Sequence, residues 1–347
     1  MFVCLFTFGL SLHHFRSKKR NIVFNPILVF IVMLLNVIRC MISFLISDQN
    51  PNHFIMFGDF AYFLKVRYHI DMTLMQTSIF AILSQIVHYI DYKNNKTPHY
   101  LRPFLMMSGI ITPYSIGFNN KKDIYKMIKI TKSLTTFTVI NENVLIPCFF
   151  FLFTFLTLSY HCNYYYQLIV FVLPWSLFMM LGSCYVTGII SWQLVYFYVT
   201  CVYLKVKLRQ TNRKIQTLNM RVIDERILLA IIKSLNSLHL EIVEFNNNFW
   251  SKFIFGFYTT STTTVCLMLF IIIFANLTNL FRIILLYLTT NLFILLIVLF
   301  NTASNINKES FKSYRLLLNL QIYISKGIIN ANKRLKVNIL SIKINIE

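Results

Sequence analysis

The sequence is poor in acidic residues and in flexible ones. Only 12 Asp and Glu stand among 347 residues, against 33 Lys and Arg, with 8 Gly and 7 Pro. So little Gly and Pro excludes a collagenous or low-complexity chain, and 34 Phe within 56% hydrophobic residues exclude a disordered one. More informative still is where no charge occurs at all. From Asn143 through Leu204 there is no Asp, Glu, Lys or Arg, and the same holds for Met72 to Ile90, Phe253 to Phe281 and Ile283 to Asn307. A helix needs about 20 apolar residues to cross roughly 30 Å of hydrocarbon. Repeated charge-free windows of that length predict an all-α polytopic membrane protein.

Chemistry is missing as well. The chain contains no G-x-x-x-x-G-K-[ST], G-x-G-x-x-G, H-E-x-x-H or G-x-S-x-G motif, so no enzyme class is indicated. Its seven cysteines, Cys4, Cys40, Cys148, Cys162, Cys184, Cys201 and Cys266, are scattered and odd in number, with no C-x-x-C spacing. They read as small apolar residues rather than as a disulfide framework. The His13-His14 and His161-Cys162 pairs supply too few converging ligands for a metal site, and no cofactor is expected. Paired half-sequences with intramembrane carboxylates, the mark of many secondary transporters, are not evident. The apolar Met1–Leu12 start precedes its basic cluster, the reverse of a cleaved signal peptide, so the first span is expected to act as the targeting signal.

What is present is a set of apolar spans separated by basic segments. Helices are predicted over Asn21–Ser47, Tyr68–Ile90, Val144–Tyr160, Gln167–Trp192, Phe253–Ala275 and Ile283–Asn301, about six in all. The net charge of +21 is unevenly distributed. Four Lys/Arg lie in the N-terminal tail, and eight in each of Asp91–Thr136, Lys205–Lys233 and Lys308–Lys343. The intervening segments hold none in His161–Tyr166, Arg282 alone in the fifth-to-sixth loop, and Lys65 with Arg67 before the second helix. By the positive-inside rule both ends are cytoplasmic, and the expected partner of the basic surface is the anionic inner leaflet, not nucleic acid.

Segments 91–136 and 205–250 are read as cytoplasmic loops, 1–304 as the transmembrane body and 305–347 as a cytoplasmic tail. The run from Gln167 to Leu204 reads as one helix projecting beyond the bilayer, since a hairpin would place Lys205–Lys233 outside. Pro103–Asn120 is charge-free but broken by Pro and Gly and reads as interfacial. Ile227, Ile231, Leu235, Leu238, Ile242 and Phe245 recur at spacings of three and four, the face of an amphipathic helix that lies on the membrane or packs on partner subunits. Asn276-Leu277-Thr278 matches a glycosylation sequon in a short outer loop.

Polar and aromatic residues at similar depth are the candidate ligand-binding positions. Counting inward at about 1.5 Å per residue, Arg39, Gln76 and Trp175 lie about 12 Å below the outer surface and Tyr287 about 6 Å. They could line an outward-facing pocket. Alternatively Arg39 snorkels or pairs with Asp71 while the others pack helices. The run Thr259-Thr260-Ser261-Thr262-Thr263-Thr264 favours packing, because membrane threonines usually bond their own backbone carbonyls.

Three local patterns are similar to one family. Phe8-Gly9-Leu10 stands before the first span. Leu235-Asn236-Ser237-Leu238-His239-Leu240 through Phe245-Asn246-Asn247-Asn248-Phe249 precedes the fifth. Glu309-Ser310-Phe311-Lys312 with Leu316-Leu317-Leu318-Asn319-Leu320 follows the sixth. Together with cytoplasmic ends, basic inner loops and minimal outer ones, the chain resembles the arthropod gustatory and odorant receptor superfamily. That resemblance implies a ligand-gated cation channel of the plasma membrane, a tetramer of homologous subunits, with a small chemical ligand bound among the first six helices. It also implies a seventh, pore-lining helix with Thr-Tyr and Gln-Phe pairs. The tail departs from this: Lys326, Lys333, Arg334, Lys336 and Lys343 interrupt every apolar run after Asn307, and neither pair occurs there. The expectation is a chemoreceptor subunit lacking its last helix, with Val337–Glu347 read through an unspliced boundary. A G-protein-coupled receptor, which needs an outside N-terminus, and a small-molecule transporter are the alternatives.

Overall fold

Helix accounts for nearly everything in the computed structural model, which describes residues 24–45, 58–59, 67–95, 121–161, 168–217, 225–275 and 279–323. The helices are α1 (Phe24–Leu45), α2 (Arg67–Asn95), α3 (Lys121–His161), α4 (Leu173–Gln216), α5 (Glu225–Phe245), α6 (Ser251–Phe274) and α7 (Asn279–Tyr323). A π-helical turn, Leu168–Val172, leads into α4, and another, Asn246–Trp250, joins α5 to α6. The first has a local cause in Pro174. Proline has no amide to donate to the carbonyl four residues back, so the regular ladder cannot extend unbroken through it.

Among the described residues, four helices are long and apolar enough to cross a membrane, within Arg67–Val87, Ile169–Gln216, Ser251–Phe274 and Phe281–Asn319; Phe30–Leu45 is a shorter apolar helix. The protein is an all-α polytopic membrane protein. Residues 168–204 form no hairpin: the π-helical turn leads into α4, which runs unbroken from Leu173 to Gln216. The basic segments are more helical than loop-like. Lys121–Thr136 opens α3, Lys205–Gln216 closes α4, and Lys308–Tyr323 continues α7 without a break. The Phe8–Leu10 pattern, the Arg16–Arg20 cluster, Pro103–Asn120, the Asn276–Thr278 sequon and the tail beyond Tyr323 lie outside the described residues.

Two units form, each from three chain segments. The first takes 1–98, 132–195 and 251–297; the second takes 99–131, 196–250 and 298–347. In the first, Val32 and Met33 of α1, Ala81 of α2 and Tyr185 and Ile189 of α4 make a core, bordered by Phe178 and Trp192. A second core joins Ile271 and Ala275 to Ile70 and Leu285. Large apolar side chains such as Phe255, Ile273 and Ile283 point outward instead, as lipid-facing residues do. The threonine run divides by face. Thr259 and Thr263 donate to the carbonyls of Phe255 and Thr259 at 2.9 and 2.7 Å, while Ser261 and Thr264 are buried.

In the second unit polar contacts bind the helices. Asn212 of α4 donates through Nδ2 to the Glu309 carbonyl of α7 at 3.2 Å and accepts from Ser313 Oγ at 2.7 Å. Gln210 donates to Asp123 of α3 at 3.1 Å. Lys207 of α4 pairs with Glu241 of α5 at 2.9 Å, beside a 3.0 Å bond from the Tyr203 hydroxyl to the same carboxylate. The amphipathic pattern of α5 is realised, with Ile231, Leu235, Leu238 and Phe245 buried and Ile227 exposed.

Candidate ligand site and its buried ion cluster

The first turns of α2 carry Arg67 and Asp71, four residues apart; the last turns of α1 carry Arg39 and Ser43 at the same spacing. In each helix that spacing puts both polar side chains on one face. α1 packs against α2, and the segment Gly58-Asp59 closes the group. All six residues are buried. Arg67 Nε lies 2.6 Å from Asp59 Oδ2, and Arg39 Nη2 lies 3.7 Å from Asp71 Oδ1. Ser43 sits between the two acids, its Oγ 2.9 Å from Asp59 and 2.8 Å from Asp71. Since a hydroxyl has one proton, the two carboxylates share it. The oxygen in turn accepts from Arg67 Nη2 at 3.1 Å, and the Ser43 carbonyl accepts from the same nitrogen at 2.6 Å.

Two cations and two carboxylates therefore cancel in a dry environment, where either sign alone would be expensive. Arg39 is further committed. Its Nη1 donates to the Gly58 carbonyl at 2.9 Å, its Nε reaches Asn36 Oδ1 at 3.5 Å, and its Nη2 lies 3.5 Å from Cys40 Sγ. With its donors occupied, Arg39 ties α1 to α2 and holds Gly58 in place.

That role brings two candidate residues together. Gly58 has φ of +66°, and a Cβ built on it would stand 2.5 Å from Trp175 Cδ2 and 2.6 Å from Cγ. Only glycine permits this approach at that backbone angle. The indole thus packs on the far side of the residue whose carbonyl Arg39 holds, and it meets Phe178 edge-on at 5.5 Å. Trp175 is half-buried, so part of its ring remains open.

Gln76 belongs to a different face of α2. It shares helical spacing with His69, Thr73 and Phe80; His69 stacks on Phe270 at 4.6 Å, and Phe80 meets Phe253 and Phe257 at 5.8 and 6.3 Å. Gln76 therefore lies between these two contacts, on the α2–α6 seam, and is half-buried. Tyr287 is 55% exposed on α7. The structure joins Arg39 and Trp175 through Gly58, places Gln76 on a neighbouring seam, and leaves Tyr287 at the monomer surface. Ser43, Gly58, Asp59 and Arg67 were not among the sequence candidates. The repeated four-residue spacing, Arg39/Ser43 and Arg67/Asp71, is the signal available for two of them, Ser43 and Arg67.

The structure aligns over 98% of this chain with the insect olfactory receptor OR5 from Machilis hrabei, covering 84% of that chain, at a TM-score of 0.62 and 12% sequence identity. The chain has the fold of an insect olfactory receptor. No family model matches it, and no curated protein matches it in sequence. The resemblance drawn from the sequence holds at the level of architecture, with 12% of the aligned residues identical.

Proposed function

We propose that this chain is a chemosensory receptor subunit of the plasma membrane, gated by a small chemical ligand and assembling with homologous subunits into a tetrameric cation channel. The likeness to an insect olfactory receptor across 98% of the chain carries this reading. The distribution of Lys and Arg supports cytoplasmic ends, and the absence of catalytic motifs supports a role outside enzymology. Of the four candidate positions, the ligand is placed against Trp175, whose ring is partly open, with Gln76 on the neighbouring seam and Tyr287 outside the contact. Trp175 supplies the apolar wall, and Arg39 acts indirectly through Gly58.

The experiment is co-expression with homologous subunits in cells and recording of currents evoked by a panel of volatile and soluble compounds. The expected result is a ligand-evoked cation current that Trp175→Ala reduces while surface expression persists. Surface-expressed protein that answers no compound in any subunit combination would overturn the reading. An epitope at the N-terminus should be labelled only after permeabilisation. Labelling in intact cells would favour a G-protein-coupled receptor.

A further inference from the structure

We infer that the second unit builds a site for a multiply phosphorylated lipid headgroup from Lys126 of α3, Lys205 and Arg209 of α4 and Lys308 of α7. The helices that carry these residues are tied at this level. Gln210 bonds Asp123, three residues before Lys126; Arg209 pairs with Glu309, next to Lys308; Asn212 and Ser313 join α4 to α7 one turn further on. Lys205 lies one turn before Arg209 and within electrostatic reach of Arg209, Glu309, Lys126 and Lys308.

Charge accounting leaves this group unbalanced. Among the described residues of this unit, Lys207 pairs with Glu241, Arg209 with Glu309 and Arg213 with Asp123. Among the described residues Lys126, Lys205 and Lys308 take part in no ion pair. Three like charges from three helices repel one another unless an anion joins them, and an anion bearing several charges at short separation relieves most of that repulsion. Lys126 and Lys308 are exposed and Lys205 is half-buried, so their ammonium groups are open to a ligand.

Position decides the source of the anion. Lys205 is the first charged residue after the run from Asn143 to Leu204, and Lys308 is the first after Ile283 to Asn307. Each emerges from its apolar run where headgroups begin, and the basic side is the cytoplasmic one. A lipid phosphomonoester fits that depth. This inference rests on the membrane orientation proposed above, and it narrows a diffuse attraction to anionic lipid to one built site.

The full chain, purified in detergent, would be titrated with dioctanoyl phosphatidylinositol 4,5-bisphosphate, with dioctanoyl phosphatidylserine and with inositol 1,4,5-trisphosphate. Wild type should bind the bisphosphate lipid at least about tenfold tighter than either alternative. Lys205→Gln with Lys308→Gln should weaken it about 30-fold, near fivefold per lysine. Lys214→Gln with Lys233→Gln removes the same charge elsewhere in the unit and should change binding less than about twofold. Thermal unfolding checks that both variants fold; should the first pair not fold, Lys126→Gln alone should still weaken binding about fivefold. Equal weakening by the two pairs, or unchanged binding on loss of Lys205 and Lys308, would overturn the site. Inositol trisphosphate binding as tightly as the lipid would assign the cluster to a soluble polyanion and overturn the lipid. None of these measurements needs a chemical ligand or a current, so their failure is separable from failure of the receptor reading.

Discussion

The Arg39 guanidinium of α1 donates to the carbonyl of Gly58, nineteen residues away, at 2.9 Å while facing the Asp71 carboxylate of α2 at 3.7 Å. One side chain thus joins a helix, a neighbouring helix and the segment between them. Removing it leaves an acid behind. Arg39→Met should destabilise the purified protein by about 3 kcal/mol, because a buried carboxylate loses its cation. Arg39→Met with Asp71→Leu removes both charges and should recover most of that loss. Unfolding can be followed with a thiol-reactive dye, since the free thiols Cys40 and Cys201 are buried in the folded state. A double variant no more stable than the single one would show that the pair is not electrostatically coupled.

Gly58→Ala combines a left-handed backbone with a side-chain collision. A Cβ at 2.5 Å from Trp175 Cδ2 forces the indole away, so the variant should lose about 2 kcal/mol or more. In a Trp175→Ala background the same change should cost about half as much, because only the backbone term remains. Equal losses in both backgrounds would refute the packing of Trp175 on Gly58.

Ser84 of α2 donates to Gln193 Oε1 of α4 at 2.6 Å, with both side chains buried. Ser84→Ala should lower stability by about 1 kcal/mol, the usual scale for such bonds between membrane helices. Ser84→Ala with Gln193→Leu should regain it, because Gln193 Nε2 also has no partner among the described residues. Chemical-denaturant midpoints of the three variants give the comparison.

Asn212 is the polar tie of the second unit, and its two ends have opposite needs. Its amide donates to the Glu309 carbonyl and its oxygen accepts from Ser313. Asn212→Asp keeps the second bond but sets a carboxylate against a carbonyl, and Asn212→Ala loses both. Each should destabilise by about 1–3 kcal/mol. The check is protection of the α4 and α7 amides in hydrogen exchange. Unchanged protection near residues 209–216 and 309–317 in both variants would show that the tie is dispensable.

The four-residue spacing of Arg39 with Ser43 and of Arg67 with Asp71 could be read from the chain, but not that the pairs meet. A span is local, since about 20 consecutive apolar residues settle it whatever the neighbours are. The turns of helix that run past the apolar stretches depend on non-local contacts instead. Lys121–Thr136 and Lys205–Gln216 are charged enough to read as loop, yet they continue α3 and α4 because tertiary contacts such as Gln210 with Asp123 stabilise the extra turns. The ion cluster needed a residue no pattern marks. Gly58 belongs to no helix, and its part depends on a positive φ and on Trp175, more than a hundred positions later.

Composition by itself therefore determined the solvent and the architecture, because the absence of charge over a helix length is incompatible with water on every side. Only the tertiary structure decided what the buried charges do. Whether Arg39 faces a ligand, a headgroup or Asp71 depends on distances of a few ångströms between separate segments, and no periodicity along one helix carries that information. Here the donors of Arg39 are taken by Gly58, Asn36 and Asp71, and the open surface beside them belongs to Trp175.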